Sequence, residues 1–284
     1  MKYVVDSGST KSTWKRIEGG CTISIAGLNP LTNTKEERAA ILNIVKMRLL
    51  QDGPVDAVFF YGAGCGSEKG RQIVKESIQD AFGDIYFEAE GDMMGSCRAL
   101  YGNKAGYAGI LGTGSNACHY DGSKIDRKIC SMGYLLGDEG SGNHIGRLLT
   151  KDFLSGKMAD GCAELFGEYY CKDKTKEEFV AELYKDEMVN VFFGSLTYFA
   201  NHLKQTSYVH DLLLRSFSEF FENQVAPIMT PDLPRTISLT GSVAWLFQDT
   251  VSEAAEKAGI TVEDIIKDPI DGMAEFHGAD SKIS

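Results

Sequence analysis

The chain has 284 residues, of which 43% are hydrophobic and 10% aromatic, so it can bury a sizeable core in one large domain or in two of ordinary size. Its net charge of −11 argues against nucleic-acid binding, which requires a basic surface. The sequence contains neither a long apolar run nor a signal peptide, so we expect a cytoplasmic protein with no membrane partner. The seven cysteines include no Cys-x-x-Cys pair, which argues against a zinc site and a disulfide framework.

The first part of the chain alternates between strand and helix patterns. Strands are predicted over 2–6, 13–17, 21–25, 57–61 and 85–90, and helices over 35–51, 67–82 and 93–101. The first three strands follow one another as a meander, and the later ones are separated by helices. This order predicts a mixed α/β unit with βαβ crossovers.

The same order restarts after residue 104. Strands are predicted up to 111, up to 120, up to 130, over 236–240 and over 261–266, with helices over most of 151–235, over 242–258 and after 269. We therefore predict an N-terminal lobe over 1–104, a C-terminal lobe over 105–268 with a helical insertion at about 151–235, and a final helix over 269–284 that can pack back on the first lobe.

Two turns rich in glycine and hydroxyl residues carry the clearest chemical signal. The first reads DSGSTKST over residues 6–13, and the second reads GTGSN over residues 112–116. Small residues let backbone N–H groups approach an anion, and hydroxyls add donors, so each turn could hold phosphate. Both turns lead into strands, unlike a P-loop or a dinucleotide-binding turn, which lead into a helix. Two ordinary β-hairpins are the alternative interpretation.

Five segments resemble one known family. They are residues 6–10, 91–92, 112–116, 133–141 (GYLLGDEGS) and 239–244 (LTGSVA), in the expected order. In these segments the chain resembles the N-acetylglucosamine kinases and the related BadF/BadG/BcrA/BcrD-type ATPases, within the superfamily of actin, sugar kinases and heat-shock ATPases. The resemblance implies an α/β fold of two ribonuclease-H-like (actin-like ATPase) lobes, with a nucleotide and sugar cleft between them. Ser7 and Ser9 stand where family members often carry glycine.

The resemblance also implies that ATP and Mg²⁺ bind. The implied phosphate-binding residues are Ser7, Gly8, Ser9, Thr10 and Lys11 in the first turn, and Gly112, Thr113 and Gly114 in the second. Gly241 and Ser242 would lie against the adenosine. Asp6 suits Mg²⁺, which usually keeps its waters and takes one carboxylate. An Asx turn that orders the hairpin is the alternative role of Asp6.

The remaining implied residues serve the sugar. Asp92 follows a strand and precedes a helix, and the family alignment makes it the general base that receives the hydroxyl proton. Position alone favours a different role for Asp92, as the cap of the helix that starts at Met93. The implied sugar-binding residues are Asn29, Asp92, Ser115, Asn116, Asp138 and Glu139. Asn29 could instead form a turn, and Asp138 and Glu139 could complement a helix dipole.

The function implied is an ATP-dependent kinase that phosphorylates the 6-hydroxyl of N-acetylglucosamine or a related amino sugar. One alternative is an ATPase that activates a partner enzyme through a shared iron–sulfur cluster, with Cys118 and Cys130 near the second turn. The other is a sensor that binds sugar and nucleotide without catalysis. Homodimers are common among relatives, so the family also allows a homodimer here.

Overall fold

The computed structural model describes residues 1–8, 10–51 and 53–280. They fall into two compact units. Unit 1 contains the described residues of Met1–Gly106, Tyr120–Ile125 and Asp268–Ser284, and unit 2 contains Tyr107–His119 and Asp126–Lys267. Each unit is built on its own five-stranded sheet. This confirms the predicted α/β fold with two lobes.

The sheet of unit 1 combines a meander with parallel strands. Its elements in chain order are β1 (Lys2–Ser7), β2 (Lys11–Arg16), β3 (Thr22–Ala26), α1 (Lys35–Leu49), β4 (Ala57–Gly62), α2 (Glu68–Phe82), β5 (Tyr86–Gly91) and α3 (Asp92–Tyr101), with α13 (Ile270–Asp280) joining from the end of the chain. The strand order is β3-β2-β1-β4-β5. β2 runs antiparallel to both of its neighbours, whereas β1, β4 and β5 run parallel.

Alternation along β1 divides the core of unit 1 between the two faces of its sheet. Tyr3 and Val5 belong to the cluster that packs against α1 and α2. Val4, between them, belongs to the cluster formed with Ile270 and Met273 of α13. Successive side chains of a strand point to opposite faces, which produces this division. α13 also packs against α3.

Unit 2 repeats the same plan. Its strands are β6 (Gly106–Leu111), β7 (Ser115–Tyr120), β8 (Ile125–Lys128), β9 (Thr236–Thr240) and β10 (Thr261–Ile266). They lie in the order β10-β9-β6-β7-β8, which is the order of the first sheet with β6 in the place of β1. β9 runs parallel to β6 and to β10.

Helices fill the chain between β8 and β9. They are α4 (Gly133–Leu136), α5 (Gly142–Leu154), α6 (Asp160–Phe166), α7 (Lys176–Leu183), α8 (Val189–Ser195), α9 (Thr197–Leu203) and α10 (Ser207–Phe220), with π-helical turns at Gly167–Cys171 and Phe221–Val225 and a 3₁₀ turn at Ala226–Ile228. Their apolar faces form one core with the sheet, rich in buried phenylalanines such as Phe166, Phe217 and Phe220.

Element boundaries differ from the predictions at a few points. The helix predicted over 242–258 is two helices, α11 (Ser242–Leu246) and α12 (Gln248–Lys257). They meet at Phe247, whose backbone leaves the helical region (φ −119°, ψ 29°) and whose side chain is buried against Phe217. The predicted helix 93–101 begins one residue earlier, at Asp92.

Candidate active site

The parallel strands of unit 1 end in one row. Ser7 of β1 pairs with Gly62 of β4, and Gly62 pairs with Gly91 of β5. Asp6 lies one residue before this row and Asp92 one residue after it. Because the carboxyl ends of parallel strands share one sheet edge, the candidate metal ligand and the candidate base lie at the same edge.

Asp92 is the first residue of α3, and Gly91 is the N-cap. The backbone N–H of Met93 donates to Asp92 Oδ1 over 2.9 Å. The alternative role of Asp92 as the N-cap residue is therefore not observed. Its carboxylate stands in the first turn of α3, at the positive end of the helix dipole.

Negative charge is concentrated around Asp6. The pKa of Asp6 is raised to about 7, mainly by burial and then by the carboxylates of Asp92 and Asp268, while Lys11 opposes the shift. Among the described residues, no backbone N–H donates to the Asp6 carboxylate in an Asx turn. A half-buried carboxylate flanked by two more is a favourable place for a cation, because a cation relieves their mutual repulsion.

The first turn closes on its own backbone, with Gly8 N donating to Lys11 O over 2.9 Å. Gly8, Thr10 and Lys11 are exposed. Ser9 lies outside the described residues. Ser7 is fully buried, donates from Oγ to Leu28 O (3.1 Å) and accepts from Leu28 N (2.9 Å). Its hydroxyl hydrogen is thus used inside the protein, so Ser7 joins the turn to the loop that precedes Asn29.

That loop is ordered by Asn29. Asn29 Oδ1 accepts from Leu31 N over 2.9 Å, which is the bond of an Asx turn, and Asn29 N donates to Asn33 Oδ1 over 2.7 Å. The turn-forming alternative is therefore observed for this oxygen. Asn29 is 7% exposed and packs beside Gly64, where an added Cβ would lie 2.6 Å from Oδ1. Gly64 follows β4, so Asn29 lies near the same sheet edge as Asp92.

The second turn is held by α5. Gly112 N donates to Gly114 O (3.0 Å) within the turn, and Gly142 N donates to Gly112 O over 2.9 Å. Thr113 O accepts from the next residue of α5 over 3.1 Å. These bonds position the turn without using its side chains.

Gly241 is packed against the second turn. A Cβ at Gly241 would lie 2.4 Å from Leu111 O and 3.3 Å from Gly112 N, and its φ of +113° also favours glycine. Ser242 begins α11 immediately afterwards. The residues predicted to contact phosphate and adenosine in unit 2 are therefore neighbours.

The four predicted sugar-binding residues of unit 2 line one depression. Its lining comprises Ser115, Asn116, Ile129, Cys130, Ser131, Met132, Gly137, Asp138, Glu139 and Gln224. Asp138 has the left-handed φ of +58°, a conformation that non-glycine residues rarely adopt. Burial raises the pKa of Asp138, against hydrogen bonds from Ser115 N and the Asn143 side chain that lower it. A half-buried carboxylate on strained backbone is typical of a functional site.

Gln224 is the site residue that the sequence analysis missed. It is 3% exposed, and its Nε2 donates to Ser115 Oγ and to Glu139 Oε2, each over 2.8 Å. Ser115 Oγ in turn donates to Glu139 O over 2.7 Å. Gln224 belongs to the predicted helical region and stands in no recognisable motif. The feature that marks Gln224 as a site residue is the π-helical turn Phe221–Val225, which is visible only in the structure.

No metal-ligand cluster is present in the described residues: no three His, Cys, Asp or Glu side chains are placed to hold an ion together. Cys118 is buried, whereas Cys130 is exposed. Over the same residues, no helix combines the length and apolar character that membrane crossing demands.

The whole chain is similar to solved structures of other proteins. A candidate N-acetylglucosamine kinase from Porphyromonas gingivalis superposes with a TM-score of 0.91 at 31% identity, over 99% of this chain and 100% of the relative. The chain belongs to the family of N-acetylglucosamine kinases.

More distant structures share the fold of this kinase family. A candidate N-acetylglucosamine kinase from Chromobacterium violaceum has a TM-score of 0.72 at 20% identity, over 97% of this chain and 99% of the relative. A ROK-family glucokinase from Streptomyces griseus, in complex with glucose and AMPPNP, has a TM-score of 0.56 at 14% identity, over 99% and 98% of the two chains. No protein-family model and no curated protein sequence matches this member of the family.

Proposed function

We propose that the protein is an ATP-dependent kinase that phosphorylates the 6-hydroxyl of N-acetylglucosamine or a closely related amino sugar. The position of Asp92 is the observation that supports the proposal most strongly. It stands at the carboxyl edge of the first sheet, close enough to Asp6 to raise the pKa of that residue. A base and a cation ligand at one sheet edge match the needs of phosphoryl transfer.

In the proposed reaction, Asp92 accepts the proton of the sugar hydroxyl as that oxygen attacks the γ-phosphorus of ATP, and ADP leaves. The exposed residues Thr10 and Lys11 would bind phosphate oxygens, and Gly8 would keep the turn closed, because its N–H is donated to Lys11 O. Ser7 would not contact phosphate. Its hydroxyl is hydrogen-bonded to the backbone of Leu28, which would fix the position of the first turn. Exclusion of water from the site would prevent hydrolysis of ATP.

Mg²⁺ fits the residues around Asp6. Carboxylate oxygens are its preferred ligands. The neighbouring carboxylates of Asp92 and Asp268 add negative charge that a bound cation would neutralise. A bound Mg²⁺ would supply charge neutralisation for the ATP phosphates. One protein ligand is sufficient, since Mg²⁺ usually keeps several waters and takes phosphate oxygens as further ligands.

Unit 2 would supply the other contacts. Thr113 and Gly114 would bind phosphate and Gly112 would close the turn, because its N–H is donated to Gly114 O. Gly241 and Ser242 would lie against adenosine. Asn116, Asp138 and Glu139 line a depression whose acceptors suit sugar hydroxyl groups. Ser115 contributes differently from the expectation, since its hydroxyl hydrogen is donated to Glu139 O and the hydroxyl can only accept from a ligand.

A panel of sugars with ATP tests the proposal. N-acetylglucosamine, glucosamine, N-acetylmannosamine and N-acetylmuramic acid are each incubated with protein, ATP and Mg²⁺, and product is identified by phosphorus NMR. We expect a 6-phosphate from at least one of them, and no product when a chelator removes Mg²⁺. ATP hydrolysis that is independent of every sugar would instead indicate an activating ATPase. Binding without ADP release would indicate a sensor.

A further inference from the structure

The inference concerns Gln224 and the two residues that it joins. Gln224 Nε2 lies 2.8 Å from both Ser115 Oγ and Glu139 Oε2. The hydroxyl hydrogen of Ser115 is already donated to Glu139 O, so Ser115 Oγ can only accept from Gln224. An ionised Glu139 carboxylate also accepts only. Both hydrogens of the Gln224 amide are therefore committed, and its orientation is determined.

The backbone around Gln224 leaves little freedom for another arrangement. Its π-helical turn continues directly from α10, and its neighbours Phe221 and Val225 are fully buried. π-Helical turns are rare and occur frequently at functional sites. Here the turn directs a buried amide towards a loop that lies 85 residues earlier in the chain. Gln224 itself lines the depression beside Ser115 and Glu139.

We propose that Gln224 is a positioning residue for the sugar: it holds the Glu139 carboxylate and the Ser115 hydroxyl in one fixed arrangement. This inference rests on the proposed kinase function. A neutral amide supplies two donors without adding charge beside Asp138 and Glu139, so the wall of the depression keeps its acceptors for ligand hydroxyl groups. A buried polar site of this kind discriminates strongly among ligands, because a mismatched ligand leaves its groups unpaired.

The decisive variant is Gln224→Glu, which keeps the shape but replaces the amide donor by a carboxylate. Two carboxylates this close ionise together only at a raised pH, so they share a proton at lower pH and repel each other once both are ionised. Charged or titratable groups that interact with Glu139 or its neighbours are Asp138, His144, Arg147, Arg215, Glu219 and Glu222. Burial lowers the pKa of His144 to about 4, so this residue stays neutral over the range to be tested.

The experiment measures KM for the sugar, KM for ATP and kcat from mildly acidic to mildly alkaline pH. We expect Gln224→Glu to raise the sugar KM about tenfold or more at alkaline pH, with the ATP KM unchanged. Relative to the wild type, this loss should shrink as the pH falls, because the shared proton replaces the amide hydrogen. Gln224→Met, which cannot donate, should lose sugar affinity equally at every pH.

Gln72→Glu is the matched control. Gln72 is exposed on α2 and donates to Glu76 over 2.8 Å, so the same substitution beside a glutamate should leave all three constants unchanged. A wild-type sugar KM for Gln224→Glu at alkaline pH, or a loss that does not depend on pH, would overturn the positioning role. Failure of the wild type to phosphorylate any sugar would instead overturn the kinase assignment, so the two failures are distinguishable.

Discussion

Asp6 and Asp92 share one edge of the first sheet, and their charges are coupled. Burial is the largest cause that raises the pKa of Asp6, to about 7, and Asp92 is the strongest of the charges that add to the shift. Two carboxylates held this way destabilise the free protein, yet a kinase needs one for its metal and one for its proton. The pair is therefore better explained by function than by folding.

The first prediction concerns the stability of the metal-free protein. The pKa of Asp6 is about 7 in the folded protein, above its ordinary value of 3.8, so the folded state binds the proton more tightly. This stabilising contribution is fully present below pH 3.8 and is lost as the pH rises from there through about 7. Asp6→Asn cannot ionise, so its free energy of unfolding should exceed that of the wild type at alkaline pH, by on the order of 1 kcal/mol or more.

Chemical unfolding with a chelator present, at acidic and at alkaline pH, measures this difference. The gap between Asp6→Asn and the wild type should be absent below pH 3.8, open as the pH rises from there to about 7, and stay constant above that, so the acidic measurement is made below 3.8. Asp84→Asn, at an exposed position before β5, serves as the control and should match the wild type at both values. An equal gap at both pH values would show that Asp6 acts through packing instead.

The second prediction tests the loop of Asn29. Gly64→Ala places a Cβ 2.6 Å from Asn29 Oδ1, so Asn29 must move, and the sugar KM should rise. Gly64 has φ +87°, which adds a cost of about 1 kcal/mol in stability. Gly83→Ala carries nearly the same strain at φ +84° but meets no atom within 4 Å.

The two glycine variants are compared by thermal unfolding and by steady-state kinetics. Both should lose stability, and only Gly64→Ala should lose sugar affinity. If the two variants have the same sugar KM, Asn29 is a turn former with no part in binding.

The third prediction concerns the nucleotide side of unit 2. A Cβ at Gly241 would lie 2.4 Å from Leu111 O, a backbone atom that cannot rotate away, so Gly241→Ala should shift the second turn. ATP affinity should fall by about tenfold or more, since the turn amides lose their alignment. Gly259→Ala, at φ +67° with no atom within 4 Å, controls for backbone strain in the same unit. Calorimetric titration with a nonhydrolysable ATP analogue measures the affinity of both variants. If the two affinities are equal, Gly241 has no part in nucleotide binding.

Much of this architecture could be predicted from the sequence, because its signals are local. Hydrophobic periodicity and glycine turns mark the strands and helices in order, and a strand followed at once by a helix places Asp92 at a sheet edge. Phe247 shows the limit of such signals. The helical pattern continues through it, yet its backbone leaves the helical region where its side chain is buried against Phe217.

The missed features depend on long-range contacts. Gln224 meets Ser115 across 109 residues, through a π-helical turn that no local pattern indicates. In the sequence, Ser7 stands where a hydrogen-bond donor to phosphate is expected. In the structure its hydroxyl donates to the carbonyl oxygen of Leu28, 21 residues away. In both cases tertiary packing decides which hydrogen-bonding groups remain for a ligand.

The last prediction addresses the base itself. Asp92→Asn keeps the size of the side chain and the start of α3 but cannot accept a proton from the hydroxyl. Single-turnover phosphorylation of the best sugar should fall by about 10²- to 10⁴-fold, whereas the Kd for ATP should stay within about twofold of the wild type. Asp84→Asn should leave both quantities unchanged. Near wild-type turnover by Asp92→Asn would contradict the account, since a kinase that works without this carboxylate does not use it as the base.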